Sequence, residues 1–333
     1  MDYPVELKNE IQSLLEKLKI RELYEPQKIG MDLIFSGKNV VISMPTASGK
    51  TLLAYFAILR AMALKMRALY LVPLRALAME KYDELKEIFN DKYNIILSMG
   101  DYDTNAKDLE KADIIVAVFE KIDSVLRHDP DFIYSIGVIV ADEVHILGDE
   151  SRGPTLEMIL TRLLVSNSHA QLVALSATIS NYDEIADWLR AEKLYSDFRP
   201  VPLKIGIYQN GILFYDNGES YEIKEDKLKI GNLVKFALRD NGQVLIFVSR
   251  RNFAEKLAEN LRSIVMNYAE KIDLPKQIDE EKNIYDEKII EDLRYGVAFH
   301  HAGLSNTQRK FIENLFRERK IKCLVATPTL AAG

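Results

Sequence analysis

From about residue 39 to residue 188 the chain alternates short apolar runs with longer stretches whose apolar positions recur every three to four residues. The runs at 39–44, 68–72, 94–98, 113–118, 136–141 and 171–176 predict strands. The stretches at 50–66, 75–90, 120–127 and 154–166 predict helices between them. This alternation predicts an α/β fold, a parallel sheet with helices on both faces. In such sheets ligands sit beyond the carboxyl ends of the strands.

A boundary is expected at Arg199-Pro200-Val201-Pro202, dividing the chain into domains 1–199 and 200–333. Asn210-Gly211 then signals a hairpin turn. A second alternating block follows, with helices at 227–240, 252–271 and 306–319 and strands at 243–248, 296–301 and 322–326. Ser305 and Gln308 have the spacing of a capping box at the start of the last helix. Residues 271–294 are charged and expected to be helical. The sequence stops at Gly333 just after a strand, and three core strands are few for such a domain, so the second domain is expected to be incomplete and the chain part of something longer.

The 333 residues suffice for two cored domains, and 48% hydrophobic with 28% charged residues is an ordinary globular composition. A net charge of −6 argues against coating nucleic acid by bulk electrostatics, yet leaves room for a local basic groove. The single cysteine, Cys323, excludes an internal disulfide and fits a reducing compartment. Residues 1–20 are amphipathic and charged rather than signal-like, and no apolar run approaches membrane-spanning length. These features predict a soluble, cytoplasmic protein with no membrane partner.

Two segments carry chemistry. Pro45-Thr46-Ala47-Ser48-Gly49-Lys50-Thr51 follows the first strand and opens a helix, the geometry that receives phosphate on backbone N–H groups. Gly49 permits close approach, Lys50 reaches the β- and γ-phosphates, and Thr51 offers a hydroxyl to Mg²⁺. Met44 occupies the place of the first glycine in the general phosphate-loop pattern. Asp142-Glu143-Val144-His145 follows another strand, and adjacent carboxylates after an apolar run are costly unless a cation accompanies them. Asp142 is assigned to Mg²⁺ through water and Glu143 to the attacking water as general base, with His145 linking this site to its surroundings. His300 and His301, being neighbours on a strand, point to opposite faces and do not share a metal. Tyr55, Phe56 and Trp188 fall at helical spacing and read as core.

These two segments with Ser176-Ala177-Thr178, in this order, resemble motifs I, II and III of superfamily 2 helicases of the DExH branch, a group that also replaces the first glycine. Glu25-Pro26-Gln27 resembles its glutamine motif, Pro73-Leu74-Arg75-Ala76-Leu77 motif Ia and Phe119-Glu120-Lys121 motif Ib. Phe247-Val248-Ser249-Arg250 resembles motif IV. Val325-Ala326-Thr327-Pro328-Thr329-Leu330-Ala331-Ala332-Gly333 resembles the start of motif V. Gly100-Asp101-Tyr102, Arg152-Gly153-Pro154-Thr155 and His300-His301-Ala302-Gly303-Leu304 narrow the resemblance to the Ski-like branch, most closely the archaeal Holliday-junction-migration type.

The resemblance implies two RecA-like domains with ATP and Mg²⁺ between them, moving 3′ to 5′ on single-stranded or forked DNA in repair or fork processing. It implies that Gln27 bonds adenine and that Pro45, Thr46, Ala47, Ser48, Gly49, Lys50 and Thr51 hold the nucleotide. It implies that Ser176 and Thr178 couple the nucleotide to nucleic acid, which Arg75, Lys121, Arg152, Thr155, Ser249, Arg250 and Thr327 contact. On residues alone Arg75 and Lys121 also read as solvated helix-start charges, and Ser176-Ala177-Thr178 as a strand-end turn. Two other functions remain open: a Ski-like RNA helicase, because backbone contacts do not separate DNA from RNA, and a non-hydrolytic module gated by nucleotide. The family's arginine-bearing motif VI does not occur before Gly333, and such an arginine is worth about 10³ to 10⁵ in rate. ATP binding with poor hydrolysis is therefore the expectation for these 333 residues.

Overall fold

Val40, Val41 and Ile42 are all fully buried, yet they belong to two different cores. Val40 and Ile42 pack on one face of a sheet and Val41 on the other, as period-two alternation requires of a strand covered on both sides. The structure, a computed structural model, describes residues 5–89, 92–100, 109–223, 229–270 and 287–330. Asp101, Tyr102, residues 271–286 and Ala331-Ala332-Gly333 lie outside the described residues. The chain divides into two compact units, Met1–Pro202 and Leu203–Gly333.

The first unit is built on a seven-stranded sheet. Its strands are β1 (Val40–Ser43), β2 (Arg67–Val72), β3 (Ile95–Ser98), β4 (Ile114–Val118), β5 (Ile136–Ala141), β6 (Gln171–Ser176) and β7 (Glu192–Tyr195). All pairings are parallel, in the order β3-β4-β2-β5-β6-β1-β7. Helices α1 (Val5–Lys17), α2 (Glu25–Phe35), α3 (Lys50–Ala63) and α4 (Arg75–Phe89) cover one face. Helices α5 (Phe119–His128), α6 (Gly153–Ser166) and α7 (Tyr182–Trp188) cover the other. Among the described residues no helix is long and apolar enough to cross a membrane.

The six expected strands are present within a residue or so of their expected limits. The seventh, β7, has only Leu194 buried, because it is an edge strand and needs no apolar run. Tyr55 and Phe56 are core, whereas Trp188 ends α7 with 37% of its surface exposed. Strand order places the carboxyl ends of β5, β6 and β1 side by side, so segments far apart in sequence leave the sheet together.

The second unit opens with an antiparallel meander of β8 (Gly206–Gln209), β9 (Ile212–Tyr215) and β10 (Ser220–Glu222). Asn210 and Gly211 turn between the first two strands with φ of 50° and 80°, the left-handed pair a two-residue hairpin demands. The described helices that follow are α8 (Lys229–Leu238), α9 (Arg251–Val265), α10 (Glu287–Arg294) and α11 (Asn306–Arg317). With them come β11 (Val244–Phe247), β12 (Val297–His300) and β13 (Cys323–Ala326), parallel in the order β11-β13-β12. The capping box forms: Gln308 N donates to Ser305 Oγ at 3.2 Å, and Ser305 N to Gln308 Oε1 at 2.8 Å. Burial pushes the Cys323 thiol up to about 12, which keeps it protonated and unreactive.

Asp292 on α10 is fully buried, with Arg262 of α9 on one oxygen and no partner for Oδ2 among the described residues. Burial raises its carboxyl to about 6 against the pull of Arg262 and Lys288, with Glu259 adding to the rise. A carboxyl raised on folding stabilises fully below its unfolded value, about 4, and that contribution is lost as pH rises through about 6. Compared with Asp292→Asn, the chain is therefore expected to lose stability between those values, by on the order of 2 to 3 kcal/mol. Paired urea titrations at several pH values check this. A wild-type stability that keeps level with Asp292→Asn, or gains on it, as pH rises contradicts it.

Candidate nucleotide site

Beyond β1 the backbone turns sharply, with Ala47 at φ 62° and Gly49 at φ 84°. Left-handed residues set between right-handed ones aim successive N–H groups inward, forming a concavity that suits an anion. Gly49 caps α3 with a left-handed φ that favours glycine, and a Cβ there would lie 2.2 Å from Gln27 Nε2 and displace the end of that side chain. Ser48 Oγ donates to Pro45 O at 2.6 Å and closes the turn from within. Residues 52–59 of α3 are buried on every side, which anchors the helix whose first turn faces the concavity. Met44 is fully buried, so the position of the missing glycine is filled by a core side chain.

Lys50 Nζ donates to Met44 O at 3.0 Å and Ser176 O at 2.9 Å, joining the ends of β1 and β6. Burial lowers its pKa, while the nearby carboxylates of Glu143 and Asp142 oppose that shift. Lysine and acidic pair thus share one local field, although nearly a hundred positions separate them in the sequence.

Asp142 is the first residue past β5, and its N–H donates to Leu71 O at 2.8 Å. Its Oδ1 accepts from Glu143 N at 2.9 Å and its Oδ2 from the Tyr70 hydroxyl at 2.8 Å. The Tyr70 phenol is held well above its ordinary value by burial first and by Asp142 second, so it remains a donor. Glu143 has φ 57°, a conformation that costs a residue with a Cβ about 1 kcal/mol or more and that recurs at functional sites. Its Oε2 lies 3.2 Å from His145 Nδ1.

Ser176 ends β6 fully buried. Its carbonyl accepts from both Met44 N and Lys50 Nζ, and its Oγ has no partner among the described residues. Ser43 Oγ donates to Ala177 O at 3.2 Å and accepts from Ile179 N at 3.3 Å, tying the turn after β6 to β1. Thr178 is exposed on that turn. Gln27 is buried and already engaged: Oε1 accepts from Tyr24 N at 3.0 Å, and Nε2 donates to Ser48 O at 3.4 Å. An amide with two donors and two acceptor sites keeps one of each for a base edge.

The site has the parts that ATP and Mg²⁺ require. There is an anion-receiving turn, a buried ammonium, a carboxylate held by two donors, and a half-buried Thr51 in the first turn of α3. Among the described residues no group of three or more His, Cys, Asp or Glu could hold a metal. A magnesium ion on Asp142 and Thr51 would therefore draw its other ligands from phosphate oxygens and water, as that ion commonly does. His300 and His301 face separate carboxylates, Glu313 at 2.8 Å and Glu255 at 3.1 Å.

The remaining candidates fall at loop starts beyond the strands. Arg75 is exposed where α4 begins after β2, and Lys121 is half-buried at the start of α5 after β4. Arg152 caps α6, and Thr155 lies in its first turn. Asp149 Oδ1 fixes that loop by accepting from Ser151 N, Ser151 Oγ and Arg152 N. In the second unit Ser249 and Arg250 are exposed beyond β11, while Thr327 after β13 is buried and its N–H donates to His300 O at 3.0 Å. Sequence reasoning missed Tyr70 and Ser43. A phenol within an apolar strand that needs a partner is the one signal that could have marked Tyr70.

The DEAD/DEAH box helicase family matches residues 24–185. An ATP-dependent DNA helicase Hel308 of Thermoplasma volcanium is 46% identical over 312 residues, covering 94% of this chain and 45% of that protein. The protein of the same name from Pyrococcus horikoshii is 41% identical over 329 residues, covering 97% of this chain and 45% of the relative. The one from Thermococcus kodakarensis is 42% identical over 327 residues, or 28% of its own length. The chain thus spans under half the length of these relatives. The identity runs through both units and is not confined to the phosphate turn, so residues 24–185 match the DEAD/DEAH box helicases of superfamily 2 and the chain is similar over nearly all its length to the Hel308-type archaeal DNA helicases.

Proposed function

We propose that this chain is the ATP-driven portion of a DNA helicase that acts inside the cell on single-stranded or forked DNA, in repair or fork processing. The observation that carries the proposal is the convergence of Lys50, Asp142, Glu143 and Ser176 at three adjacent strand ends of one parallel sheet. In this reading Lys50 leaves one of its two carbonyl partners for the terminal phosphates, where a cation offsets developing charge. Glu143 takes the proton of the attacking water, and His145 holds that carboxylate in place. Magnesium, when bound, would neutralise charge on the outer phosphates. Ser176 ends β6 and Thr178 lies on the turn tied to β1, so in this reading they would couple a change at the phosphate turn to the loops bearing Arg75, Lys121, Arg152 and Thr155. Ser249, Arg250 and Thr327 would add contacts from the second unit.

Contacts of this kind grip the phosphate backbone, so they give salt-dependent and largely sequence-independent binding. DNA is favoured over RNA because the relatives bear the name of DNA helicases. Competition between DNA and RNA strands of matched sequence, with an ATP analogue present and at two salt concentrations, tests the reading. DNA is expected to compete better, and Arg75→Ala is expected to weaken binding alike for all sequences. RNA competing as well as DNA would favour a Ski-like RNA helicase.

A further inference from the structure

We propose that Tyr70 is a positioning residue for the magnesium carboxylate Asp142, a role that rests on the helicase reading above. Tyr70 lies mid-way along β2, fully buried among apolar neighbours. A phenol in that setting requires an acceptor. Asp142 Oδ2 provides it at 2.8 Å. The nearby phenol of Tyr55 has an acceptor of its own, Glu84 Oε2 at 2.9 Å, and does not compete.

Register explains why tyrosine serves here. Tyr70 pairs with Val140 across the parallel β2–β5 ladder, and Asp142 stands two residues further along the same face. The hydroxyl must reach past one residue pair along the strand. A phenol is long enough, and serine or threonine is not.

The consequence falls on Asp142. Each of its oxygens now has one donor, Glu143 N on Oδ1 and the Tyr70 hydroxyl on Oδ2, so the plane of the carboxylate is set before any ion arrives. Each oxygen keeps a lone pair for an ion or for water bound to an ion. With the hydroxyl removed, only the Glu143 backbone N–H restrains rotation of the carboxylate about its last bond. Removing a hydrogen-bond partner of a metal ligand typically costs about 10- to 100-fold in metal affinity or activity.

The test uses the 333-residue chain and a fluorescent ATP analogue, titrated with MgCl₂ or held in EDTA. Tyr70→Phe keeps the ring and is expected to raise the half-saturating magnesium concentration about tenfold, leaving metal-free nucleotide binding unchanged. A magnesium titration that superimposes on wild type, with the fold intact by circular dichroism, overturns the proposal. Asp142→Ala is measured beside it. If that change moves the magnesium titration and Tyr70→Phe does not, only the positioning role is lost. If neither moves it, the assignment of Asp142 fails and the proposal falls with it. 3-Fluorotyrosine at position 70, which keeps the hydroxyl, provides a second readout. Its fluorine resonance is expected to shift when magnesium joins bound nucleotide and to stay still in EDTA. An unmoved resonance under saturating magnesium also overturns the proposal.

Discussion

Glu143→Gln is expected to slow ATP cleavage by at least about 100-fold while leaving ATP binding within a few-fold of wild type, since positioned bases contribute about 10² to 10⁴ in rate. The amide has nearly the carboxylate's shape but cannot take a proton from water. Its surroundings tolerate the change: Glu143 sits on the short turn after β5 with its carboxylate against His145, so little packing is lost. The strained φ of 57° is set by the turn and is common to both side chains. Single-turnover cleavage with the chain in excess over ATP reads even a slow step, and nucleotide binding is followed in parallel. Unchanged cleavage would remove Glu143 as base and support the non-hydrolytic alternative.

Lys50→Ala is expected to weaken ATP binding by at least about 100-fold, because charged hydrogen bonds contribute about 1.5 to 3 kcal/mol each and the ammonium is placed to make more than one. The loss has two parts. The phosphates lose their cation, and Met44 O and Ser176 O lose a donor that joins β1 to β6. Lys50→Arg separates them. A guanidinium restores the charge, but its planar fork does not reproduce a compact ammonium that meets two carbonyls, so binding is expected to recover only in part. Titration of a fluorescent nucleotide, alongside thermal unfolding without nucleotide, checks both. Full ATP affinity in Lys50→Ala would remove the phosphate turn from the site.

These expectations rest on residues that were readable in the sequence to different degrees. The interior strands β1, β2, β4, β5 and β6 were legible because strands buried on both faces must be apolar throughout. The edge strand β7 was not, since water covers one side and charged residues serve there as well as apolar ones. The phosphate turn was legible through Gly49 and Lys50. Their surroundings were not: Gln27 bonds Ser48 because α2 packs beside the phosphate turn, and Lys50 bonds the end of β6 because the crossovers of the sheet set β6 next to β1.

The order of residues determined, by itself, that strands alternate with helices, that a glycine-lysine turn opens α3, and that two carboxylates follow β5, because each is a local consequence of period, backbone freedom or charge. The tertiary structure alone decided that β1, β6 and β5 lie side by side and that a tyrosine from β2 holds Asp142. Strand order and register arise from packing every helix against the sheet at once, and no local stretch of sequence contains that competition.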